Sequence, residues 1–245
     1  MNVSGISNQS LLGKVLRLPL KLIPPTTILP ILQGRLKGKR WITGSSQHGC
    51  WLGSYEYDKQ ILFEQTITDG SIVFDLGAHT GFYTLLASTL VGAKGKVFAF
   101  EPMPINVKYL KQHLQLNRIA NVTVMEAAVS DTTGIAYFEL NSSSFQGQLS
   151  SKGTLEVATV SLDNLIATGE IPTPNYMKID VEGAEMKVLT GAKTMLINAH
   201  PTIFLATHSV ELHQQCINFL TLLGYKIKPV GNKNLEECEE IIAVY

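Results

Sequence analysis

The stretch that decides the fold is SIVFDLGAHTGFYTLLAST, residues 71–89. An apolar run ends in Asp75, Gly77 and Gly81 bound a short polar turn, and an apolar helical pattern begins near Phe82. Glycine adopts positive φ readily and lets the backbone approach a ligand without a Cβ in the way. The stretch therefore predicts a buried strand, a tight turn and a helix, with a ligand site at the carboxyl end of the strand.

Apolar runs alternate with helical patterns from this stretch to the end of the chain. This alternation is typical of βαβ units and a largely parallel sheet. A helix is predicted at residues 57–66, and strands at 71–75, 96–100, 122–127, 176–179, 202–207, 226–230 and 241–245. The last two strands are close in sequence and are predicted to form an antiparallel hairpin. Two further strands are predicted at 135–140 and 155–160.

The composition is that of a folded protein, with 45% hydrophobic and 16% charged residues in a chain of 245. This length suits one α/β domain at residues 56–245, preceded by an extension at 1–55. The three cysteines are widely spaced and odd in number, which matches neither a disulfide framework nor a CxxC site. The sequence therefore predicts a reducing compartment, and we expect a cytoplasmic protein.

The net charge of zero conceals an asymmetry between the two parts of the chain. Residues 1–55 hold seven of the 20 basic residues and no acid, which leaves 13 basic against 20 acidic residues in the remainder. A nucleic-acid enzyme usually carries a basic surface around its site to neutralise phosphates. The acidic main domain therefore argues against DNA or RNA and favours a small or uncharged acceptor.

The basic extension contains a predicted short helix at residues 10–18, ended by prolines. One interpretation is an amphipathic helix in peripheral contact with an anionic membrane surface. The other, which we favour because the helix is short, is packing against the main domain with a solvated basic face. No run of about 18 apolar residues is present to cross a bilayer, and the start of the chain lacks a continuous signal-peptide core.

The turn and helix at residues 77–82 suit an anionic ligand, because the first turn of a helix offers free N–H groups and a positive dipole end. In S-adenosylmethionine that anion is the methionine carboxylate. Asp75 is placed to accept hydrogen bonds from the ammonium group of the same cofactor. Dinucleotide binding is the competing interpretation, but the G-x-G-x-x-G pattern is absent, and DLGAHTG separates its glycines by three residues.

The next strand ends in Glu101, about twenty residues beyond Gly81, where an acid in a nucleoside-binding fold reaches the ribose hydroxyls. The third strand runs into MEAAVSDTTG, so residues 127–130 are predicted to line the adenine pocket, with Ser130 or Asp131 bonding the base. The predicted cofactor-binding residues are Asp75, Gly77, Ala78, Gly81, Tyr83, Glu101, Pro102, Ala128 and Ser130.

Three acids, Asp180, Glu182 and Glu185, fall within six residues in the segment KIDVEGAE at the end of a predicted strand. Acids this close are costly unless they are protonated, paired or metal-bound. Glu185 also fits a plain dipole-complementing role in the first helical turn. His208 ends the following strand. Either Asp180 or His208 is the candidate general base that takes the proton of a substrate hydroxyl, and a structural role is the alternative for His208.

The predicted catalytic residues are Asp180, Glu182 and His208. A metal ion held by these three side chains would orient vicinal hydroxyls of an acceptor. No ligand spacing in the sequence requires one, and none is predicted.

Five segments in order, FDLGAHTGFYT, FAFEPMP, AAVSD, VSLDNL and MKIDVEGAE, resemble the FkbM family of S-adenosylmethionine-dependent methyltransferases over residues 50–210. The resemblance implies a Rossmann-like class I methyltransferase fold, with a seven-stranded, mostly parallel sheet, an antiparallel C-terminal strand and helices on both faces. It also implies O-methylation of hydroxyls on sugars, glycans, lipids or other small molecules. Asp75, Gly77, Gly81 and Glu101 map onto the cofactor motif of the family, and the three acids onto its acidic motif.

The sequence thus predicts an O-methyltransferase that acts on a small-molecule, glycan or lipid acceptor. Two alternatives stay open at this point. One is a nucleotide-binding oxidoreductase, and the other is a non-catalytic protein that binds the cofactor without turnover.

Overall fold

The structure is a computed structural model that describes residues 19–140, 147–149, 155–231 and 234–245. The helix predicted at residues 10–18 lies outside the described residues. The strands are β1 Ile28–Pro30, β2 Arg40–Ile42, β3 Ile72–Leu76, β4 Lys96–Phe100, β5 Val122–Met125, β6 Ala128–Val129, β7 Gly134–Leu140, β8 Gly147–Leu149, β9 Leu155–Val160, β10 Tyr176–Ile179, β11 Thr202–Ala206, β12 Lys226–Pro229 and β13 Glu240–Val244. The α-helices are α1 His48–Leu52, α2 Tyr57–Thr66, α3 Phe82–Val91, α4 Pro104–Leu116, α5 Leu162–Ala167, α6 Glu185–Gly191, α7 Lys193–Ala199 and α8 Val210–Leu222.

The central sheet has seven strands in the order β12-β13-β11-β10-β3-β4-β5. Strands β11, β10, β3, β4 and β5 pair in parallel, whereas β13 is antiparallel to both of its neighbours. The predicted fold class and the terminal hairpin are therefore confirmed. Strand β3 lies between β10 and β4, so the chain switches direction of winding there and leaves a crevice at the carboxyl ends of these strands.

The third strand ends earlier than the sequence predicts, at Met125 rather than at residue 127. The Met125 carbonyl accepts hydrogen bonds from the amides of both Glu101 and Ala127, so the chain turns there. It then forms β6, which pairs with β9 in a second sheet of order β6-β9-β7-β8. The two extra strands predicted at 135–140 and 155–160 are the antiparallel pair β7 and β9 of that sheet.

Apolar side chains form two large buried clusters in the main domain. One includes Phe74, Phe100 and Ile179 of the sheet together with residues of helices α6 and α8. The other joins Val73 and Leu86 to Ile31, Leu36 and Trp41 of the N-terminal segment. Residues on both sides of the predicted domain boundary at 55/56 thus share one cluster.

No helix among the described residues is both long and apolar enough to span a membrane.

Candidate active site

The turn between β3 and α3 can be built only with small residues at its ends. Gly77 has φ +75°, and a Cβ at this position would overlap the carbonyl oxygen of Asp180 on the adjacent strand. Gly81 has φ +96°, and its missing Cβ leaves room for the Leu110 side chain. The close approach of the turn to the end of β10 therefore depends on glycine, as the sequence predicts.

A cavity of about 490 Å³ opens beside this turn, at the carboxyl ends of β3, β4 and β10. Eight of the predicted site residues line it: Gly77, Ala78, Tyr83, Glu101, Pro102, Ala128, Asp180 and Glu182. Asp75, Gly81, Ser130 and His208 are not among the lining residues. The structure thus gathers most of the predicted residues around one cavity and places the other four next to it or behind its wall.

Glu101, which directly follows β4, lines the cavity and is 4% exposed. Its Oε2 accepts the His79 N–H at 2.7 Å, and its Oε1 accepts the Met103 N–H at 2.9 Å and the Asn106 amide at 3.1 Å. Burial raises the pKa of this carboxyl, and the three donors oppose that rise. A carboxylate has about four acceptor positions, so one side of Glu101 is available to a hydroxyl in the cavity.

Asp75 lies behind the cavity wall rather than on it. Its Oδ2 accepts the Thr84 hydroxyl at 2.6 Å, and its Oδ1 is 3.3 Å from Lys178 Nζ. Lys178 also donates to the Gly77 carbonyl at 2.9 Å and does line the cavity. Asp75 therefore acts on the cavity through Lys178, which the sequence analysis did not select.

Two buried lysines surround Asp180 on the side that faces away from solvent. Lys59, on α2, lies 3.6 Å from the Asp180 carboxylate, and Lys178 lies 3.7 Å from it. Lys59 also pairs with Glu56 at 2.9 Å and with Glu240 at 2.7 Å. Both ammonium groups lie near the Tyr83 ring, at 5.2 and 5.7 Å from its centroid. The acids therefore do not stand alone but belong to a network of alternating charge.

This network keeps Asp180 ionised at neutral pH. Burial opposes ionisation, but the nearby Lys178, Lys59 and His208 outweigh it and hold the pKa of Asp180 at about 2. The pKa values of the two lysines are raised, because the surrounding acids outweigh the effect of burial. A carboxylate with so low a pKa is a poor proton acceptor, so the role of base falls to another residue.

His208 follows β11 and lies at the same edge of the sheet. Its Nε2 is 3.5 Å from Asp180 Oδ1 and 3.5 Å from Glu182 Oε2, and its Nδ1 is 2.7 Å from Glu185 Oε1. The hydrogen bond to Glu185 raises the pKa of His208 to about 8, burial opposes this rise, and the two other carboxylates add to it. His208 is therefore the group in this cluster that changes charge near neutral pH.

A second, open cleft adjoins the cavity and is lined by Glu182, Gly183, His208, Ser209, Glu211, Leu212 and Gln215. Glu182 lines both spaces. The structure thus places the three predicted catalytic residues between a cavity sized for a nucleoside and a cleft open to solvent.

The ligand atoms of Asp180, Glu182 and His208 lie within 4.8 Å of one another, which is close enough to share a cation. The two lysine ammonium groups beside Asp180 already supply positive charge at this position.

Comparison with known proteins agrees with this geometry. Residues 75–227 match the family described as the methyltransferase FkbM domain. The chain belongs to the FkbM methyltransferase family. The predicted family is thereby confirmed, and the predicted cofactor, S-adenosylmethionine, agrees with it.

Two curated relatives are similar in sequence. Hexuronic acid methyltransferase AglP of Haloferax volcanii is 31% identical over 156 residues, which is 63% of this chain and 60% of the relative. The 31-O-demethyl-FK506 methyltransferase FkbM of Streptomyces tacrolimicus is 26% identical over 56% of this chain and 69% of the relative. The chain thus spans about three fifths of the length of AglP.

A solved structure of this family supports the fold. The crystal structure of methyltransferase FkbM from Methylobacillus flagellatus superposes with a TM-score of 0.55 at 19% identity, covering 73% of this chain and 44% of that chain.

One wall of the cavity in this FkbM-family chain holds none of the predicted site residues. The cavity is also lined by residues of the N-terminal segment, namely Gly44, Ser46, Gln47, Cys50 and Tyr55. Burial raises the pKa of the Cys50 thiol to about 12, so it is a neutral apolar contact rather than a nucleophile. No recurring motif marks this segment, and only its content of glycine, serine and aromatic residues indicates a structured loop.

One histidine attaches the N-terminal wall to the cofactor turn. His113 Nδ1 donates to the Thr80 carbonyl at 2.7 Å, and its Nε2 accepts the Ile42 N–H at 3.1 Å. The ring stacks on Trp41 with centroids 3.8 Å apart. Burial lowers the pKa of His113 to about 4, so the ring is neutral and can make both bonds at once. We call His113, together with its partners Thr80, Ile42 and Trp41, the His113 clamp.

Proposed function

We propose that this FkbM-family protein transfers the methyl group of S-adenosylmethionine to a hydroxyl of a small-molecule, glycan or lipid acceptor. The observation that carries the proposal is the meeting of the two spaces at Glu182, with His208 beside it. The cavity is assigned to the cofactor and the cleft to the acceptor. The acceptor oxygen then reaches the methyl group where the two spaces join.

The residues around the cavity fit the parts of the cofactor. Glu101 presents a fixed carboxylate to the ribose hydroxyls, and its hydrogen bonds to the backbone hold it at that wall. Ala127, Ala128 and Val129 give an apolar surface for the adenine ring. The turn at residues 77–81 leads into the N-terminus of α3, which favours the methionine carboxylate.

The reaction is an in-line displacement in which an O–CH₃ bond forms as the S–CH₃ bond breaks. The cofactor supplies a methyl group already activated by its sulfonium charge. The chain contributes alignment of the two partners and exclusion of water. His208 Nε2 takes the proton that the acceptor hydroxyl loses, and Asp180 stays ionised beside it to stabilise the imidazolium formed.

The acidic edge favours a hydroxyl over a carboxylate as the methyl acceptor. AglP is named for hexuronic acid, which carries both hydroxyls and a carboxylate, whereas the name of FkbM places its methyl group on an oxygen of 31-O-demethyl-FK506. In this chain Asp180, Glu182 and Glu185 surround His208, and an anionic acceptor would meet their repulsion. A carboxylate acceptor would also have no proton for His208 to remove.

No metal ion, nucleic acid or membrane is assigned a part in this reaction. Peripheral membrane contact of the basic N-terminal segment stays the less favoured of the two interpretations drawn from the sequence, and the cytoplasmic location stays a prediction.

Calorimetric titration with S-adenosylmethionine, S-adenosylhomocysteine and NAD tests the cofactor assignment. We expect both sulfur compounds to bind and NAD not to bind. Methyl transfer from radiolabelled cofactor to a panel of neutral glycosides, uronates and lipids then tests the acceptor. Binding of NAD in place of the sulfur compounds would overturn the proposal, and transfer to carboxylates alone would overturn the choice of a hydroxyl.

A further inference from the structure

Glu185 is the most deeply buried acid of the cluster around His208. It is the first residue of α6 and is 0% exposed. Its Oε1 accepts the Gly183 N–H at 3.0 Å and lies 2.7 Å from His208 Nδ1. Its Oε2 accepts no hydrogen bond from the described residues. A simple role in complementing the dipole of α6 does not require a bond to a side chain 23 positions away.

The bond between Glu185 and His208 determines which ring nitrogen carries the proton. An ionised carboxylate can only accept, so His208 donates through Nδ1–H. In the neutral ring the lone pair then lies on Nε2. This is the nitrogen 3.5 Å from both Asp180 and Glu182, at the junction of the cavity and the cleft. The tautomer of His208 is therefore set by the Glu185 carboxylate, which lines neither the cavity nor the cleft.

We propose that Glu185 is a positioning residue that holds neutral His208 as the Nδ1–H tautomer and so aims the basic Nε2 at the acceptor hydroxyl. The inference rests on the proposed function for its catalytic meaning, but the tautomer itself does not depend on any ligand. Reversal of the tautomer would leave Nε2 protonated and unable to take the acceptor's proton.

The charges around His208 act on its two nitrogens from different sides. Glu185 faces Nδ1, whereas Asp180 and Glu182 face Nε2. Glu211 lines the same cleft in the first turn of α8. Removing the charge of Glu182 changes how readily His208 binds a proton but leaves the Nδ1–H bond intact. Glu182 is therefore a matched control for Glu185.

The test is long-range ¹H–¹⁵N NMR of the histidine rings in the full ¹⁵N-labelled chain, with His208→Gln to assign the signal. Above pH 9, where the ring is neutral, we expect wild type to show the pattern of the Nδ1–H tautomer. Glu185→Met removes the acceptor and should give the Nε2–H pattern, whereas Glu182→Gln should keep that of wild type. An Nε2–H pattern in wild type, or an unchanged pattern in Glu185→Met, would overturn the proposal.

Glu185→Gln is the second variant, and it keeps the proposal testable if Glu185→Met does not fold. Its amide oxygen can still accept from Nδ1–H, so the tautomer is expected to persist while the apparent pKa of His208 falls. A changed tautomer with an unchanged pKa in this variant would contradict the proposed contact. These NMR results hold whether or not the cofactor binds, so failure of the proposed function and failure of this inference are distinguishable.

Discussion

The cofactor wall and the acceptor edge of this site are built by different means. The cofactor wall consists of a backbone turn, two glycines and Glu101, all within 25 residues of sequence. The acceptor edge consists of charged side chains from α2, β10, α6 and the end of β11, brought together from residues 59 to 208. Shape therefore dominates the first region and electrostatics the second, and substitutions should separate them.

The largest effect is expected at Gly77. Gly77→Ala places a Cβ on the Asp180 carbonyl, so the turn must move away from β10 and the cavity loses its shape. We expect a loss of cofactor affinity of more than about 100-fold in calorimetry and a lower melting temperature. Gly169→Ala is the matched control, because Gly169 has the same φ of +75° but has no atom within 4 Å of an added Cβ. If Gly169→Ala lowered the cofactor affinity and the melting temperature as much as Gly77→Ala does, strain from the positive φ would explain the losses without the overlap with Asp180.

His208 tests the acceptor edge. His208→Asn should lower kcat by about 10²- to 10⁴-fold, which is the usual contribution of a positioned general base. Cofactor affinity should not change, because His208 does not line the cavity. Single-turnover methyl transfer and calorimetry on the same variant check both parts. If the variant lost only cofactor affinity, His208 would belong to the cofactor wall and not to the acceptor edge.

Glu101 tests the cofactor wall without altering its shape. Glu101→Gln keeps the volume but removes the charge, and it replaces one accepting oxygen by an NH₂ group that cannot accept from the facing N–H donors. We expect it to weaken cofactor binding by about 1–3 kcal/mol, roughly 5- to 150-fold. Turnover at saturating cofactor should be nearly unchanged. Glu126→Gln, at an exposed carboxylate just after β5 that pairs with Lys111, is the control for a simple change of charge. Unchanged affinity in Glu101→Gln would refute the ribose assignment.

The pH dependence of turnover should report the acceptor edge alone. The pKa of His208 is raised to about 8, so below that pH the ring is mostly protonated and cannot act as a base. The rate should rise about tenfold per pH unit below 8 and become constant above it. Glu182→Gln should move this inflection to lower pH, because one of the carboxylates that favour the imidazolium is removed. A flat profile from pH 6 to 9 would show that proton removal by His208 does not limit the reaction.

The smallest effect is expected from removal of metal ions. Lys59 and Lys178 already lie within 3.7 Å of Asp180, and their charges offset the carboxylate without a cation. Turnover after EDTA treatment and buffer exchange should therefore equal that of untreated protein. Loss of activity that returns with Mg²⁺ would assign a metal to Asp180, Glu182 and His208.

The cofactor wall comes from one short stretch of sequence and the acceptor edge from distant residues, and this difference decides which site residues the sequence predicts. The glycines of the turn and the acid after β4 were found in the sequence because local spacing sets their positions. Helix α2 and strands β4 and β10 also have the predicted bounds, since each is a compact apolar or helical pattern. Asp180 and His208 were selected for the same reason, because each follows a recognisable strand.

The partners of these residues could not be predicted, because tertiary packing brings them together. Lys59 lies 121 residues before Asp180 and Glu240 lies 60 residues after it, yet all three share one charge network. Without the two lysines in view, Asp180 was as good a candidate for the base as His208. The N-terminal wall was missed because its contacts depend on the folding of residues 28–55 onto the sheet, and composition alone does not encode that contact.

The His113 clamp has a consequence for cofactor exchange. The same imidazole bonds the turn that we assign to the cofactor and the backbone of strand β2, just ahead of the N-terminal residues that line the cavity. If the clamp lets the wall favour cofactor binding by some free energy, reciprocity requires the bound cofactor to stabilise the wall by the same amount. The dissociation constant of the cofactor and the local unfolding equilibrium of residues 28–55 then report the same coupling free energy.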